Sequence, residues 1–259
     1  MILTVDIGNS AITVGGFVGD KLRFSSRIST DRQKTADEYA ISILNILELY
    51  GIDRGSIDGA IVSSVVPPVN SAIRNAIRLV FNVDALFVGP GVKSGISIQC
   101  DIPSSVGADL IAEAVAGSRI YGCPCLIIDI DTVTKFTYVD KKGAFVGASI
   151  MPGVLMGLNA LADGTAQLPK ISLDAPSHVI GKNTADSMRS GAIYGNASMI
   201  DGMIDRVIEE QGEIPYICVT GEVSSFVAPY CNHKMQVDEH LVLKGLNFIY
   251  RKNNPDNCN

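Results

Sequence analysis

Mainly apolar runs separated by small polar residues occupy the first thirty residues and predict three short strands. The strands cover residues 2–7, 11–18 and 22–28, and they are joined at Gly8-Asn9-Ser10 and at Gly19-Asp20. From Thr35 the apolar spacing becomes helical. Thr35 and Glu38 form a capping-box pattern, and Gly51 ends the run. The N-terminal segment therefore predicts a three-strand meander followed by a helix.

The rest of the first half continues with alternating strands and helices. We predict a strand at 60–66 closed by Pro67-Pro68, a helix at 69–80, a strand at 84–88 and a helix at 105–120. The order of this half is therefore β-β-β-α-β-α-β-α.

The pattern then restarts, with a second apolar strand that ends in an aspartate. Strands are predicted at 126–129, 136–139, 144–150 and 215–219, and helices at 152–163, 183–211 and 240–251. Asp6 and Asp129 hold the same position in the two halves, which indicates duplication of a whole lobe. We predict an α/β protein with an N-terminal lobe at 1–120 and a C-terminal lobe at 121–259. A ligand cleft is expected between the lobes, lined by both aspartates.

Composition narrows the class of protein. The chain has 259 residues, of which 47% are hydrophobic, and its net charge of −6 leaves no basic footprint for nucleic acid. No apolar run reaches about 18 residues, so no membrane span is predicted. The N-terminus reads as a strand rather than a signal peptide. Six scattered cysteines are expected as reduced thiols in the cytoplasm, and Cys123-Pro124-Cys125 is a weak zinc signal without a second pair.

Four segments carry candidate chemistry. Asp6 to Ser10 predicts a phosphate hairpin, with Gly8 permitting close backbone approach and Asp6 placed for hydrated Mg²⁺; a plain β-turn is the alternative. No Walker motif occurs in the chain. Asp109, after Gly107-Ala108, is either a helix-capping carboxylate or a general base. The segment 147–153 suits a phosphate contact at a helix N-terminus, or is only a Pro–Gly start to a helix. The segment 220–222 suits an adenosine contact, or is only a turn.

The ordered set of motifs resembles the type III pantothenate kinase family over essentially the whole chain. The matching residues are Asp6-Ile7-Gly8-Asn9-Ser10, Pro103 with Gly107-Ala108-Asp109, Asp129 with Thr132 and Thr134, Ile150-Met151-Pro152-Gly153, Thr165-Ala166-Gln167-Leu168-Pro169, Ile180-Gly181-Lys182-Asn183-Thr184, Ser190-Gly191 with Tyr194-Gly195, and Thr220-Gly221. The resemblance implies two duplicated ribonuclease H-like lobes of the acetate and sugar kinase, heat-shock ATPase and actin superfamily. It also implies ATP-dependent phosphorylation of pantothenate, the first step of coenzyme A biosynthesis, by a cytoplasmic homodimer that uses Mg²⁺ and K⁺ or NH₄⁺.

The same resemblance implies roles for individual residues. Asp109 would be the general base, and Asp6 and Asp129 would lie at metal ions. Nucleotide contacts would come from Asp6, Gly8, Asn9, Ser10, Thr132, Thr134 and Gly221. Substrate contacts would come from Cys100, Gly107, Ala108, Asp109, Leu110 and, from the partner subunit, Thr184.

Several positions depart from the family pattern. Leu110 stands where the family usually has arginine, which removes a charge-assisted partner for an anionic substrate. Asp131 replaces a glycine near the nucleotide, and Lys135 either offsets that charge or points to solvent. Glu222 also replaces a glycine.

Three functions remain open from the sequence. They are an active pantothenate kinase, a non-catalytic or regulatory paralogue, and a kinase for another small hydroxyl compound. Retention of Asp6 and Asp109 favours an enzyme, whereas Leu110 and Asp131 favour the other two.

Overall fold

A computed structural model describes residues 1–213 and 215–255, so Cys258 lies outside the described residues. The described chain divides into two compact units. The first contains Met1–Ala116 together with the C-terminal segment that begins at His240, and the second contains Gly117–Glu239. The division falls between Ala116 and Gly117, where the sequence predicted a boundary at residue 120, and the C-terminal helix groups with the first unit.

The first unit is built on a five-stranded mixed sheet. Its strands are β1 (Ile2–Ile7), β2 (Ala11–Val18), β3 (Lys21–Ser29), β4 (Gly59–Ser64) and β5 (Leu86–Phe87), in the order β3-β2-β1-β4-β5. The three-strand meander is antiparallel, whereas β4 and β5 run parallel to β1. A short strand, β6 (Ser97–Ile98), follows in the chain.

Helices cover both faces of this sheet. They are α1 (Ala36–Leu49), α2 (Pro67–Phe81), α3 (Ala108–Tyr121) and the C-terminal helix, α8 (Leu241–Asn253). Helices α1 and α2 pack on one face with Leu3, Val5 and Ile7, and α3 and α8 pack on the other with Ile2 and Ile61. The apolar contacts of Leu246 and Ile249 with that second face explain why α8 belongs to this unit.

The second unit repeats the same arrangement. It contains β7 (Cys125–Ile130), β8 (Val133–Val139), β9 (Ala144–Pro152), β10 (Tyr216–Thr220) and β11 (Gln236–Val237), in the order β11-β10-β7-β8-β9. Strands β7, β8 and β9 form an antiparallel meander, and β10 and β11 run parallel to β7. The predicted duplication, with an aspartate at the end of each central strand, is therefore confirmed.

The helices of the second unit pack around one apolar core. They are α4 (Val154–Gly164), α5 (Thr184–Ser190), α6 (Asn196–Gln211) and α7 (Ser224–Val227), and a π-helical turn at Gly191–Gly195 joins α5 to α6. The predicted helix at 183–211 is thus a continuous helical path with a π turn inside it. Ile193, Ile200 and Ile204 turn inward against Leu126 and Phe136 of the sheet.

Candidate active site

The predicted phosphate hairpin (Asp6–Ser10) is held by hydrogen bonds on both sides of its turn. The amide of Gly8 donates to the carbonyl of Ala11 at 2.9 Å, and the hydroxyl of Thr30 donates to the carbonyl of Gly8 at 2.6 Å. Asn9 and Ser10 are exposed. The hairpin tip therefore presents polar groups to solvent from a fixed backbone, as a phosphate-binding turn requires.

Two neighbours of the hairpin were not found from the sequence. The guanidinium of Arg32 donates to Oδ1 of Asn9 at 3.3 Å, which places a cation beside a hairpin that contains none. The buried hydroxyl of Ser63, on β4, donates to Oδ1 of Asp6. Ser63 lies opposite Asp6 in the parallel register, so its position at the end of a predicted strand was the available signal. Arg32 lies in a loop, where no local pattern indicates its partner.

Asp6 fits a magnesium ion held largely through water. Mg²⁺ usually binds proteins through one or two carboxylates, with water and substrate phosphates completing its shell. Asp6 is half-buried at a strand end, next to the hairpin. Among the described residues no cluster of three or more His, Cys, Asp or Glu side chains forms a complete protein cage for a metal. The single Asp6 carboxylate therefore fits an ion whose shell is completed by water and phosphate.

Asp109 lies in the first turn of α3, at the same end of the first unit's sheet as the hairpin. The amide of Val65 donates to the carbonyl of Ile7 at 3.1 Å, and a Cβ placed on Gly107 would stand 3.8 Å from Cγ1 of Val65. That same Cβ would stand only 2.4 Å from Oδ1 of Asp109. Glycine at 107 thus leaves the space that the Asp109 carboxylate uses.

The predicted substrate positions near Asp109 differ in accessibility. Gly107, Ala108 and Asp109 are partly exposed, whereas Leu110 is only 7% exposed. Cys100 is also partly exposed, and burial, with a smaller contribution from the charge of Asp101, raises the pKa of its thiol. The Cys100 side chain is therefore a neutral thiol near pH 7.

In the second unit, the predicted nucleotide residues flank the turn after β7. Gly153 packs on this turn, because a Cβ there would stand 2.2 Å from the carbonyl oxygen of Asp131. Thr132 is partly exposed, but Thr134 is fully buried, and its hydroxyl has no hydrogen-bond partner among the described residues. Thr132 is therefore the better placed of the two threonines for a ligand contact.

Asp129 is buried, and Lys135 contacts it directly. The Nζ atom of Lys135 lies 2.5 Å from Oδ2 of Asp129, and the two side chains are 10% and 8% exposed. The expectation that Lys135 points to solvent is wrong, because the antiparallel register of β7 and β8 sets it opposite Asp129 on a buried face. The residues present therefore do not fit a further cation bound directly at Asp129.

Gly221 closes the other side of Asp129. It adopts φ +96°, and a Cβ there would stand 2.5 Å from both Oδ1 of Asp129 and the carbonyl oxygen of Ile130. Thr220, opposite Asp129 on β10, is also buried. Only glycine fits at this position, so Gly221 has a clear packing role beside the predicted nucleotide contact.

Thr184 begins α5 at the edge of an apolar groove. Asn183 caps the helix by accepting from the amide of Asp186 at 2.9 Å. The groove has a volume of about 780 Å³ and is lined mainly by α4, the segment 181–184, α5 and the π turn. Thr184 is exposed on its rim.

Comparison with known proteins shows the family. The family model for type III pantothenate kinase matches residues 2–206. The chain belongs to the type III pantothenate kinase family. It is 38% identical to the type III pantothenate kinase of Brevibacillus brevis over 98% of this chain and 99% of that protein. It is 39% identical to the type III pantothenate kinase of Bacillus cytotoxicus, over 98% of this chain and 97% of that protein.

Solved structures at low identity support the superfamily fold alone. The chain matches the Acidaminococcus fermentans (R)-2-hydroxyglutaryl-CoA dehydratase component A with a TM-score of 0.57 at 14% identity, covering 96% of each chain. It matches the ROK hexokinase of Thermus thermophilus with a TM-score of 0.51 at 12% identity, over 97% of this chain and 99% of the hexokinase chain. The predicted actin-like ATPase fold is therefore confirmed.

None of the helices within 1–213 and 215–255 is both long and apolar enough to cross a bilayer.

Proposed function

We propose that this chain phosphorylates pantothenate with ATP, as the first step of coenzyme A biosynthesis. The observation that carries the proposal is the full-length family match combined with the placement of Asp109 and the phosphate hairpin at one end of a single sheet. A non-catalytic paralogue would have no need to keep a carboxylate and a phosphate-binding turn together. The cytoplasm is the expected compartment.

In the proposed reaction, Asp109 accepts the proton of the primary hydroxyl of pantothenate. The hydroxyl oxygen forms a bond to the γ-phosphorus as the bond from that phosphorus to the oxygen of ADP breaks. Most of the rate enhancement of phosphoryl transfer comes from positioning and charge stabilisation. The phosphate hairpin and Arg32 would supply the positioning, and Thr132 and Gly221 would contact the nucleotide. A Mg²⁺ ion held at Asp6 would offset phosphate charge when bound.

A coupled assay of ADP release tests this proposal. Wild type is expected to turn over pantothenate, and Asp109→Asn should lower kcat by about 10²–10⁴-fold, as is typical for loss of a general base. Asp101→Asn, a change of the same kind at an exposed aspartate nearby, should leave kcat unchanged. Absence of turnover in wild type would favour the non-catalytic paralogue.

Leu110 supports one alternative, a kinase for an uncharged relative of pantothenate. A buried leucine offers no positive charge to a substrate carboxylate. The assay should therefore include an uncharged amide of pantothenate beside pantothenate itself. A kcat/KM for the amide that greatly exceeds the value for pantothenate would favour this second substrate class.

We also propose a homodimer formed through the groove beside α5. The exposed apolar side chains near this groove include Leu155, Met156, Leu161, Val179 and Ile180. Gly191 and Gly195 face open space, because a Cβ built on either residue would have no neighbour within 4 Å. Another helix therefore has room to approach closely there. Ala197, farther along the same helical path, is instead buried in the core of the second unit. A large exposed apolar surface of this kind is typical of an interface.

Light scattering at micromolar concentration tests the dimer. Ile180→Glu, at a side chain that is 79% exposed, should shift the protein toward monomer. Leu79→Glu, at a side chain that is 65% exposed on α2, should not. A monomeric wild type would refute the dimer.

Thr184 is proposed to reach the substrate of the partner subunit. If it does, two inactive proteins, Asp109→Asn and Thr184→Ala, should restore activity when they are mixed and allowed to exchange subunits. Half of the dimers would be mixed, and each would contain one intact site, so about a quarter of wild-type activity is expected. No recovery on mixing would show that Thr184 serves its own subunit or none.

A further inference from the structure

The strand-end aspartate of the second unit already has a positive charge beside it. Asp129 and Lys135 are directly opposite each other in the antiparallel pair of β7 and β8, so their side chains share one face. Their charged atoms, Nζ and Oδ2, lie 2.5 Å apart, and both side chains are almost completely buried. This contact is therefore a buried ion pair at hydrogen-bonding distance.

The remaining carboxylate oxygen is covered by backbone. Gly221 lies so close that a Cβ on it would stand 2.5 Å from Oδ1 of Asp129 and 2.6 Å from the carbonyl carbon of Ile130. A second cation at this carboxylate would have to displace that packing. It would also lie near the Lys135 ammonium, where like charges repel strongly because the site is shielded from water.

The duplicated unit shows that the fold itself does not require a lysine here. Asp6 has the same place in the first sheet as Asp129 has in the second, and the residue opposite Asp6 on β2 is Thr13. A neutral side chain thus fits the equivalent position. Lys135 is therefore a feature of this site rather than of the architecture.

We infer that the ammonium of Lys135 is a built-in cation, which takes at Asp129 the place that the family resemblance assigns to a bound monovalent ion. The chain then needs neither K⁺ nor NH₄⁺. Lys135 acts as a positioning residue, because it holds the Asp129 carboxylate and the turn that follows β7. The kinetic part of this inference rests on the proposed kinase function.

Two measurements on wild type test the inference without any substitution. The first is the rate of pantothenate phosphorylation with roughly 100 mM KCl, NH₄Cl or choline chloride, at constant ionic strength so that general screening is equal. The second is the thermal unfolding midpoint in the same salts. The rate should agree within about two-fold among the three salts, and the Tm within about 1 °C, since an ion that does not bind the native state does not stabilise it. A rise of roughly ten-fold in rate, or a Tm increase specific to K⁺ or NH₄⁺, would overturn the inference.

Lys135→Met supplies the complementary test, because it keeps an unbranched side chain that is shorter by the terminal ammonium and removes the charge. In choline chloride this variant should lose at least about ten-fold in rate, and K⁺ or NH₄⁺ should restore much of that rate and raise its Tm. Lys141→Met, at an exposed lysine of the β8–β9 turn, should match wild type in every salt. The inference is contradicted if Lys135→Met is fully active in choline chloride. It is also contradicted if neither K⁺ nor NH₄⁺ restores the rate that this variant loses.

The salt dependence of Tm separates this inference from the proposed function. If wild type phosphorylates pantothenate in no salt, the proposed function fails. The Tm values of wild type and Lys135→Met still show whether a monovalent ion binds when the ammonium is absent.

Discussion

Gly221→Ala should be among the most destabilising single-methyl additions in the second unit. Gly221 has φ +96°, a conformation that costs an L-residue about 1–2 kcal/mol. The added Cβ would also stand 2.5 Å from the carbonyl oxygen and 2.6 Å from the carbonyl carbon of Ile130, which are backbone atoms of a central strand. Overpacking of this kind costs about 1–3 kcal/mol. The expected loss of unfolding free energy is therefore about 2–5 kcal/mol.

Gly212→Ala is the matched control, because it has the free-energy cost of a positive φ but no clash of the added Cβ with its neighbours. Gly212 ends α6 at φ +70°, in the same unit, and a Cβ there would meet nothing within 4 Å. Its expected loss is about 1–2 kcal/mol. Urea unfolding of the two variants and wild type, followed by circular dichroism, measures the difference. If Gly221→Ala costs no more than Gly212→Ala, the tight contact between Gly221 and the β7 strand end is refuted.

Three further outcomes are expected. Gly107→Ala should lower kcat at least about ten-fold with little change in Tm. The added Cβ would stand only 2.4 Å from Oδ1 of Asp109 and would displace that carboxylate. An unchanged kcat would contradict the proposed base. Asp201→Ala should cost about 2–4 kcal/mol by thermal unfolding, because the buried carboxylate accepts from the amides of Asn232 at 2.8 Å and His233 at 3.2 Å; a loss below 1 kcal/mol would refute this role. Thr35→Ala should cost about 1 kcal/mol near pH 7 through loss of the capping box. Hydrogen bonds from the backbone amide and the hydroxyl of Thr35 lower the pKa of the Glu38 carboxyl. The carboxylate half of the box is therefore present above the ordinary glutamate pKa and is lost as the pH falls through the lowered pKa, which pH-dependent unfolding of wild type and variant would show.

Local patterns were sufficient to predict the longer elements of each unit, but not the short elements β6, α7 and β11. The capping box at Thr35 forms with both of its bonds, and the first meander pairs antiparallel as predicted. The predicted strand at 60–66 ends two residues early, because Pro67 and Pro68 already occupy the first turn of α2 and the residues before them turn into it. The register of the two sheets follows from short turns, which fix which residues face each other.

Long-range packing was harder to predict. The C-terminal helix packs on Ile2 and Ile61, more than 180 residues away in sequence, and no local pattern specifies such a partner. Periodicity identifies the apolar face of α8, with Leu246 and Ile249, but not the sheet that covers this face. Arg32 reaches Asn9 for the same reason, through a loop whose path depends on the folded meander.

The pairing of Lys135 was predictable in principle. In an antiparallel hairpin whose strands end at Ile130 and begin at Val133, Thr134 faces Ile130, and Lys135 must therefore face Asp129. Burial of that face follows from the apolar residues along both strands. Neighbours along the chain suggest that Lys135 offsets Asp131 or points to solvent, whereas its neighbour across the hairpin is Asp129.

The two strand-end aspartates are thus equivalent in topology and different in chemistry. Asp6 lies opposite Thr13, accepts from Ser63 and is half-buried, so it keeps access to water and to a hydrated ion. Asp129 lies opposite Lys135 and is enclosed by Gly221, so its charge is offset within the protein. A duplicated lobe supplies two similar carboxylate positions, and the residue opposite each one on the next strand determines whether that position recruits an ion from solution. The residue at position 135 is therefore the one whose exchange should change the ion requirement of the enzyme while leaving its fold intact.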